Sequence, residues 1–166
     1  MNLKAILMVA SATVIASCSS KEVLQTPAEA LIDRLESLVD QGSIMFGHQD
    51  TYLYGHSWKI ASDAQTYDRT DIKDVAGAYP AFSGMDLGGI ELDSPVNIDN
   101  NDFNHMRASA VAHHLRGGVV SFSWHLRNPL TGGDTWDTSS TEVVASILPG
   151  GQKHEMFMGW LSKAAD

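Results

Sequence analysis

The sequence predicts an α/β fold of the (β/α)₈ barrel type, of which about the first three βα units are present. Three short apolar runs, at 44–46, 81–85 and 119–124, predict parallel strands because helical segments separate them. Polar and aromatic residues follow each run, where barrels and doubly wound sheets bind their ligands. No glycine-rich phosphate-binding sequence follows the first run, so a nucleotide-binding sheet is disfavoured.

The first predicted helix begins at Thr26. Thr26 and Glu29 have the spacing of a capping box, Pro27 occupies the first helical position, and Gly42 ends the pattern. Further helices are predicted at 71–78, 102–116, 141–148 and 154–165. Apolar spacing in two of them predicts an inward face, formed by Phe103, Met106, Ala110, Val111 and His114 in one helix and by Met156, Phe157, Trp160, Leu161 and Ala164 in the other.

A barrel needs eight strands and about 250 residues, and three parallel strands alone would leave raw edges and an uncovered face. We therefore expect residues 26–166 to be the N-terminal part of a barrel that is truncated in this chain.

Composition favours a globular protein with a neutral ligand. The chain has 166 residues, of which 43% are hydrophobic and 19% charged, and its formal net charge is −9. Without a basic patch to neutralise phosphates, nucleic acid is an unfavourable partner. An uncharged ligand such as a sugar suits this acidic chain better.

The N-terminus predicts export and lipid anchoring. Residues 1–17 have the charge, apolar core and small residues of a bacterial lipoprotein signal peptide, and Cys18 follows at the lipidation position. Residues 18–25 are expected to form a polar tether from the lipid to the fold. Because Cys18 is the only cysteine, a disulfide within the chain is excluded. The predicted location is the outer membrane, on its periplasmic or its external face.

The loop after the first run is crowded with candidate ligand-binding side chains. A sugar-binding loop is favoured, because aromatic rings cover the apolar faces of pyranose rings while polar groups bind hydroxyls. A zinc site formed by His48, Asp50 and His56 is a weaker alternative, since the helical spacing of two histidines is missing. A packed surface loop is the third alternative. The residues concerned are His48, Gln49, Asp50, Tyr52, Tyr54, His56 and Trp58.

Candidate acids and bases follow the other two runs. Asp86, Glu91 and Asp93 include a possible carboxylate pair for glycoside hydrolysis, although acidic residues after strands often only cap loops. A histidine at the carboxyl end of a barrel strand points toward the site, which makes His125 a candidate proton carrier or hydroxyl ligand. No Ser-His-Asp set or GxSxG sequence is present. The remaining histidines in predicted helices, His105, His113, His114 and His154, are interpreted as structural.

Several of these segments together resemble one enzyme family. The order Phe-Gly-His-Gln-Asp at 46–50, Gly-Met-Asp-Leu-Gly-Gly at 84–89 and Gly-Gly-Val-Val-Ser-Phe-Ser-Trp-His at 117–125 resembles glycoside hydrolase family 26. Asn-Pro-Leu-Thr-Gly-Gly-Asp at 128–134 and Ile-Leu-Pro-Gly-Gly at 147–151, followed by His154 and Glu155, extend the similarity. The pattern is most similar to the mannanases of the Bacteroidetes type.

The resemblance implies a retaining endo-β-1,4-mannanase that cleaves internal bonds of mannan. It also implies two catalytic glutamates after the fourth and seventh strands, beyond Asp166, so that this chain alone is expected to be inactive. His125 matches the histidine that hydrogen-bonds the sugar at the cleaved bond, and Trp136 an aromatic that packs on it. Trp124 and His48, with Tyr52 and Trp58, are further candidates for lining the cleft.

The resulting prediction includes no cofactor, no metal, a β-mannan or manno-oligosaccharide substrate, and a monomer attached to the membrane through Cys18. One alternative is a surface glycan-binding lipoprotein without catalysis, which would share the signal peptide and the aromatic residues. A metal-dependent hydrolase is the other.

Overall fold

The computed structural model describes residues 25–166, which form two units divided after Ser43. Helix α1, Pro27–Asp40, is the described helix of the first unit, and its predicted capping box is confirmed. Thr26 N donates to Glu29 Oε2 at 2.7 Å, and Glu29 N donates to Thr26 Oγ1 at 3.3 Å. The hydrogen bonds that the Thr26 amide and hydroxyl donate to the Glu29 carboxylate lower the pKa of Glu29. The predicted signal peptide, Cys18 and most of the tether lie outside the described residues.

The second unit, Ile44–Asp166, alternates strands and helices as the sequence predicts. In chain order it contains β1 (Gly47–Gln49), β2 (Tyr54–Gly55), β3 (Trp58–Lys59), α2 (Asp71–Ala76), β4 (Phe82–Asp86), a 3₁₀ turn (Ile90–Leu92), α3 (Phe103–Leu115), β5 (Val119–Ser123), α4 (Val143–Ile147) and α5 (His154–Ala165). β1, β4 and β5 form a parallel sheet in that order, while β2 and β3 pair as a short antiparallel hairpin.

The first strand lies three residues later than predicted. Ile44 is 92% exposed, and pairing with β4 begins at Gly47, which lies opposite Phe82. The amide nitrogens of Ala81 and Phe82 both donate to the carbonyl of Phe46, at 3.0 and 3.3 Å. The apolar run therefore only leads into the sheet. Polar residues can form this strand because backbone hydrogen bonds, and not the burial of side chains, join it to β4.

The predicted inward face of α3 is confirmed for Met106, Phe103 and Ala110, which lie in or against the core, and is wrong for Val111 and His114. Met106, Ser109 and His113 are buried, whereas Val111 is 54% exposed and His114 is also exposed. Two polar residues occupy the buried stripe because each has a partner there. Ser109 Oγ donates to the carbonyl of Met106 at 2.8 Å, and His113 Nδ1 lies 2.8 Å from the hydroxyl of Tyr52.

The other helices follow the predicted pattern with shorter ends. α2 stops at Ala76 because Gly77 adopts a left-handed conformation, with φ 71°. α4 is shorter than predicted at both ends, and α5 has the predicted bounds. In α5, Phe157, Trp160 and Ala164 are half-buried, while Met156 and Leu161 of the predicted inward face are exposed. None of the helices within residues 25–166 is long and apolar enough to cross a bilayer.

The two faces of the parallel sheet have different roles. Met85 points to α3 and forms the core with Leu53 and Met106, surrounded by Ile60, Leu87, Phe103 and Ala110. Because side chains alternate along a strand, the opposite face carries Gln49, Gly84, Asp86, Ser121 and Ser123. That face is polar toward the carboxyl ends of the strands, where Gln49, Asp86 and Ser123 line a cleft.

Candidate functional site

A cleft of about 440 Å³ opens at the carboxyl ends of the three parallel strands. Each strand, or the loop that follows it, contributes to its wall. The lining residues are Gln49, Asp86, Ile98, Asp99, Ser123, His125 and Trp136. The location agrees with the expectation that ligands bind beyond the carboxyl ends of parallel strands.

Asp86 is the most strongly bonded side chain of the cleft, and it is only 2% exposed. Its Oδ1 accepts from the amides of Gly88 at 2.7 Å and His125 at 3.4 Å. Its Oδ2 accepts from Ser123 Oγ at 2.7 Å and lies 2.6 Å from His125 Nδ1. Burial by itself would raise the pKa of Asp86, but the hydrogen bonds from Ser123, Gly88 and His125 together outweigh it and lower the pKa below its ordinary value. Because its pKa is lowered, Asp86 is ionised near neutral pH and is unsuited to be a general acid.

His125 and Trp136 form a stacked pair at the mouth of the cleft. Their ring centroids are 5.4 Å apart and their planes meet at 26°. The His125 side chain is 45% exposed and Trp136 is 70% exposed. The pair thus offers an open aromatic surface beside a ring nitrogen, which is the combination that a pyranose ring with its hydroxyl groups requires.

The loop that carries Trp136 is held by its own polar groups. Asn128 is nearly buried, and its Oδ1 accepts from the amides of Leu130 and Thr131 at 3.0 and 3.2 Å. Its Nδ2 donates to the carbonyl of Asp137 at 3.1 Å, and Thr131 Oγ1 donates to Asp137 Oδ2. Trp136 is therefore presented by a loop with internal order, although its own side chain is largely exposed.

Glu91 is buried and surrounded by donors. Its Oε2 accepts from Trp124 Nε1 at 3.1 Å and from the amide of Gly89 at 3.0 Å, while Oε1 accepts from the amide of Arg127 at 2.9 Å. This carboxylate joins the loops that follow β4 and β5. Asp86 is thus bonded to His125 and Glu91 to these donors, an arrangement unfavourable for the carboxylate pair that glycoside hydrolysis requires.

The sequence-predicted residues separate into two groups. His125 and Trp136 come together in the cleft. Trp124 instead directs its indole nitrogen to Glu91, and His48 lies on the opposite face of β1 from Gln49. The structure therefore does not bring Trp124 or His48 to this wall of the cleft.

The interpretation of Tyr52 as a cleft residue is wrong, because it is 1% exposed and its hydroxyl bonds His113. Trp58 also has a structural environment: its indole nitrogen donates to Asp71 Oδ1 at 2.6 Å, and the Arg69 guanidinium lies 4.9 Å from its ring centroid. The same Asp71 accepts from the amide of His56 at 2.6 Å, so it fixes the β2–β3 hairpin.

Asp50 is fully buried, and neither of its carboxylate oxygens has a hydrogen-bond partner among residues 25–166. Burial, followed by the charges of Asp99 and Asp86, raises its pKa to about 6. Within residues 25–166, no three histidine, cysteine or acidic side chains are arranged to hold a metal ion, and this includes the set of His48, Asp50 and His56.

Gln49, a candidate of the predicted sugar-binding loop, lines the cleft, whereas the lining residues Ile98, Asp99 and Ser123 were not predicted. A signal existed for Gln49, since strand alternation puts it on the face of Asp86 once pairing with β4 is known. Ile98 and Asp99 lie in an irregular segment, where no periodicity predicts orientation.

Comparison with known proteins gives a consistent assignment. The family model of glycosyl hydrolase family 26 matches residues 22–166. A mannan endo-1,4-β-mannosidase of Bifidobacterium adolescentis is 30% identical over 142 residues, covering 82% of this chain and 13% of the relative. The chain thus spans a small part of the length of that relative.

Solved structures agree with this assignment. A GH26 β-mannanase of Bacteroides ovatus superposes with a TM-score of 0.74 at 39% identity, over 86% of this chain and 40% of that chain. An endo-β-1,4-mannanase of Cellulomonas fimi gives a TM-score of 0.61 at 28% identity, over 82% of this chain and 30% of that one. The fold is accordingly part of the (β/α)₈ barrel of these enzymes, and the chain belongs to glycosyl hydrolase family 26.

Proposed function

We propose that this chain supplies part of the substrate-binding wall of a retaining endo-β-1,4-mannanase. The observation that carries the proposal is the stacked pair of His125 and Trp136 at the carboxyl end of β5, backed by Asp86. The indole would cover the apolar face of a mannose ring, and the free edge of the imidazole would bind one of its hydroxyl groups. Mannan-degrading relatives with 30% and 39% identity support the choice of substrate.

The proposed reaction needs an acid/base and a nucleophile about 5–5.5 Å apart across the scissile bond. Asp86 and Glu91 have other bonding roles, so we assign neither catalytic group to them. The 166-residue polypeptide is then expected to bind manno-oligosaccharides weakly and to hydrolyse none of them.

Chemical-shift titration with mannohexaose tests the binding role, because it detects dissociation constants in the millimolar range. Such constants correspond to binding free energies of about −4 kcal/mol. We expect shifts confined to the cleft, weaker binding in His125→Ala and Trp136→Ala, and little response to cellohexaose. Two matched controls should bind like the wild type: His114→Ala removes an exposed histidine of α3, and Phe46→Ala an exposed aromatic before the amino end of β1.

Two outcomes would count against the proposal. Unchanged mannohexaose binding in both cleft variants would show that His125 and Trp136 do not form the binding wall. Tight, micromolar binding by this chain without hydrolysis, measured by retardation in a mannan gel, would instead favour the glycan-binding lipoprotein.

We also propose that the protein is exported and anchored to the outer membrane by acylation of Cys18. The support is the signal-like sequence 1–17 followed by the sole cysteine. Metabolic labelling with palmitate in a bacterial host should mark the wild type and leave Cys18→Ala unlabelled. Equal labelling of both proteins would contradict the anchor.

A further inference from the structure

We propose that Asp86 is a positioning residue that fixes the tautomer and direction of the His125 ring, so that Nε2 is presented to the cleft as a hydrogen-bond acceptor. The inference rests on the proposed function for its ligand, a sugar hydroxyl that donates to Nε2. The tautomer itself can be measured without any sugar.

The tautomer follows from the contact between the two residues. Asp86 Oδ2 lies 2.6 Å from Nδ1 of His125, and the His125 amide also approaches Oδ1 at 3.4 Å. An ionised carboxylate can only accept hydrogen bonds, so the proton of a neutral imidazole must be on Nδ1. Nε2 then retains its lone pair. No hydrogen bond from another residue in 25–166 reaches that nitrogen, and the side chain is 45% exposed.

Asp86 can impose this direction because its own position is fixed from three sides. Ser123 Oγ donates to Oδ2 at 2.7 Å, the Gly88 amide donates to Oδ1 at 2.7 Å, and Asn97 Nδ2 holds the backbone carbonyl of Asp86 at 3.0 Å. Gly88 also has no room for a side chain, since a Cβ there would lie 2.8 Å from Oδ1 and from the His125 carbonyl. The carboxylate is thus held before a ligand arrives.

The chemical consequence is selectivity for the donor. An acceptor at Nε2, beside the open face of Trp136, is complementary to a hydroxyl that donates its proton into the cleft. The opposite tautomer would place an N–H there, which could bind any accepting ligand oxygen, including ether and carbonyl oxygens that an Nε2 acceptor cannot bind. Asp86 would therefore determine which kind of polar atom the His125 edge binds, without touching the sugar.

Long-range ¹H–¹⁵N correlation spectra of histidine-labelled protein at pH 8, where imidazole rings are mostly neutral, read the tautomer directly. The His125 signals are assigned by their absence in His125→Gln. We expect the Nδ1–H form to dominate in the wild type. In Asp86→Asn the amide can donate to Nδ1, so the tautomer ratio should move toward Nε2–H by roughly tenfold or more, the value of one hydrogen bond to a charged group.

Asp93→Asn is the matched control, because it removes an exposed carboxylate of the same loop that pairs with Lys163 at 2.7 Å. It should leave the His125 spectrum unchanged. If Asp86→Asn fails to fold, as judged by near-ultraviolet circular dichroism, Ser123→Ala carries the test, with a smaller shift in the same direction.

Three results would overturn the inference: a dominant Nε2–H form in the wild type, a ring that keeps both protons at pH 8, or no change in the folded variants. These results leave the proposed function standing, because mannohexaose titration tests it separately. Conversely, a wild type with the Nδ1–H form that ignores mannohexaose would reject the function while retaining the positioning role.

Discussion

The indole nitrogen of Trp124 donates a hydrogen bond of 3.1 Å to Oε2 of Glu91, across the gap between the loops that follow β5 and β4. Because the Gly89 and Arg127 amides donate to the same carboxylate, one buried side chain holds both loops that border the cleft. Glu91 and Trp124 are residue types that are common in catalytic sites, but here they stabilise the loops that border the cleft.

Replacing Glu91 with glutamine tests this framework. All three partners of the carboxylate are donors, so the new amide nitrogen must face one of them. We expect the free energy of unfolding to fall by about 1–3 kcal/mol and the fluorescence of the protein to change as Trp124 loses its partner. Urea denaturation measures the loss. Asp93→Asn, with its exposed carboxylate, is the control, and equal stability of both variants would contradict the role of Glu91.

Ionisation of Asp50 is expected to cost stability. Its pKa is raised from 3.8 to about 6, so between these values the folded protein retains a proton that the unfolded chain releases. Stability therefore falls as the pH rises through this window, by on the order of 2–3 kcal/mol. Asparagine tolerates the positive φ of 48° at this position and cannot ionise.

Asp50→Asn should accordingly be more stable than the wild type at pH 8 and lack the decline between pH 4 and 6. Urea midpoints measured at one-unit pH intervals give both curves. The exposed Asp63→Asn should follow the wild type. A decline that persists unchanged in Asp50→Asn would exclude this carboxyl as its source.

Gly118 is expected to tolerate no side chain. A Cβ there would lie 2.1 Å from Nε2 of His113, the buried ring that bonds Tyr52. We expect Gly118→Ala to destabilise the protein by about 1–3 kcal/mol, because the ring has no space in which to move. Gly159→Ala in α5 meets no atom of the described residues within 4 Å and should be neutral or stabilising by up to about 1 kcal/mol. Thermal unfolding of the pair decides, and equal losses would refute the packing argument.

Predictability from sequence varied with the source of each element's order. β4, β5 and α5 were predictable because apolar spacing determines them. β1 lies three residues after the predicted position, because its polar residues are held in the sheet by backbone pairing with β4, which apolar spacing does not predict. Apolar spacing identified Phe103, Met106 and Ala110 on the inner side of α3 but not Ser109 and His113, which are buried there through specific hydrogen bonds.

The site shows the same division. The resemblance assigned His125 and Trp136 to one function, but their contact depends on the fold of residues 128–137, which no periodicity describes. Asp86 was noted as a possible catalyst, whereas its bonds to Ser123 and His125 depend on the register between β4 and β5, in which Asp86 lies opposite Ser123.

A chimera tests the proposal that this chain forms the sugar-binding wall of a mannanase. Residues 44–166 would replace the matching segment of the Bacteroides ovatus GH26 β-mannanase, which is 39% identical to this chain. We predict that the chimera hydrolyses β-1,4-mannan and that His125→Ala lowers its kcat/KM by roughly 10²-fold, while His114→Ala has no effect. A folded chimera that leaves mannan intact, or one that keeps its activity in His125→Ala, would show that this segment does not form the binding wall.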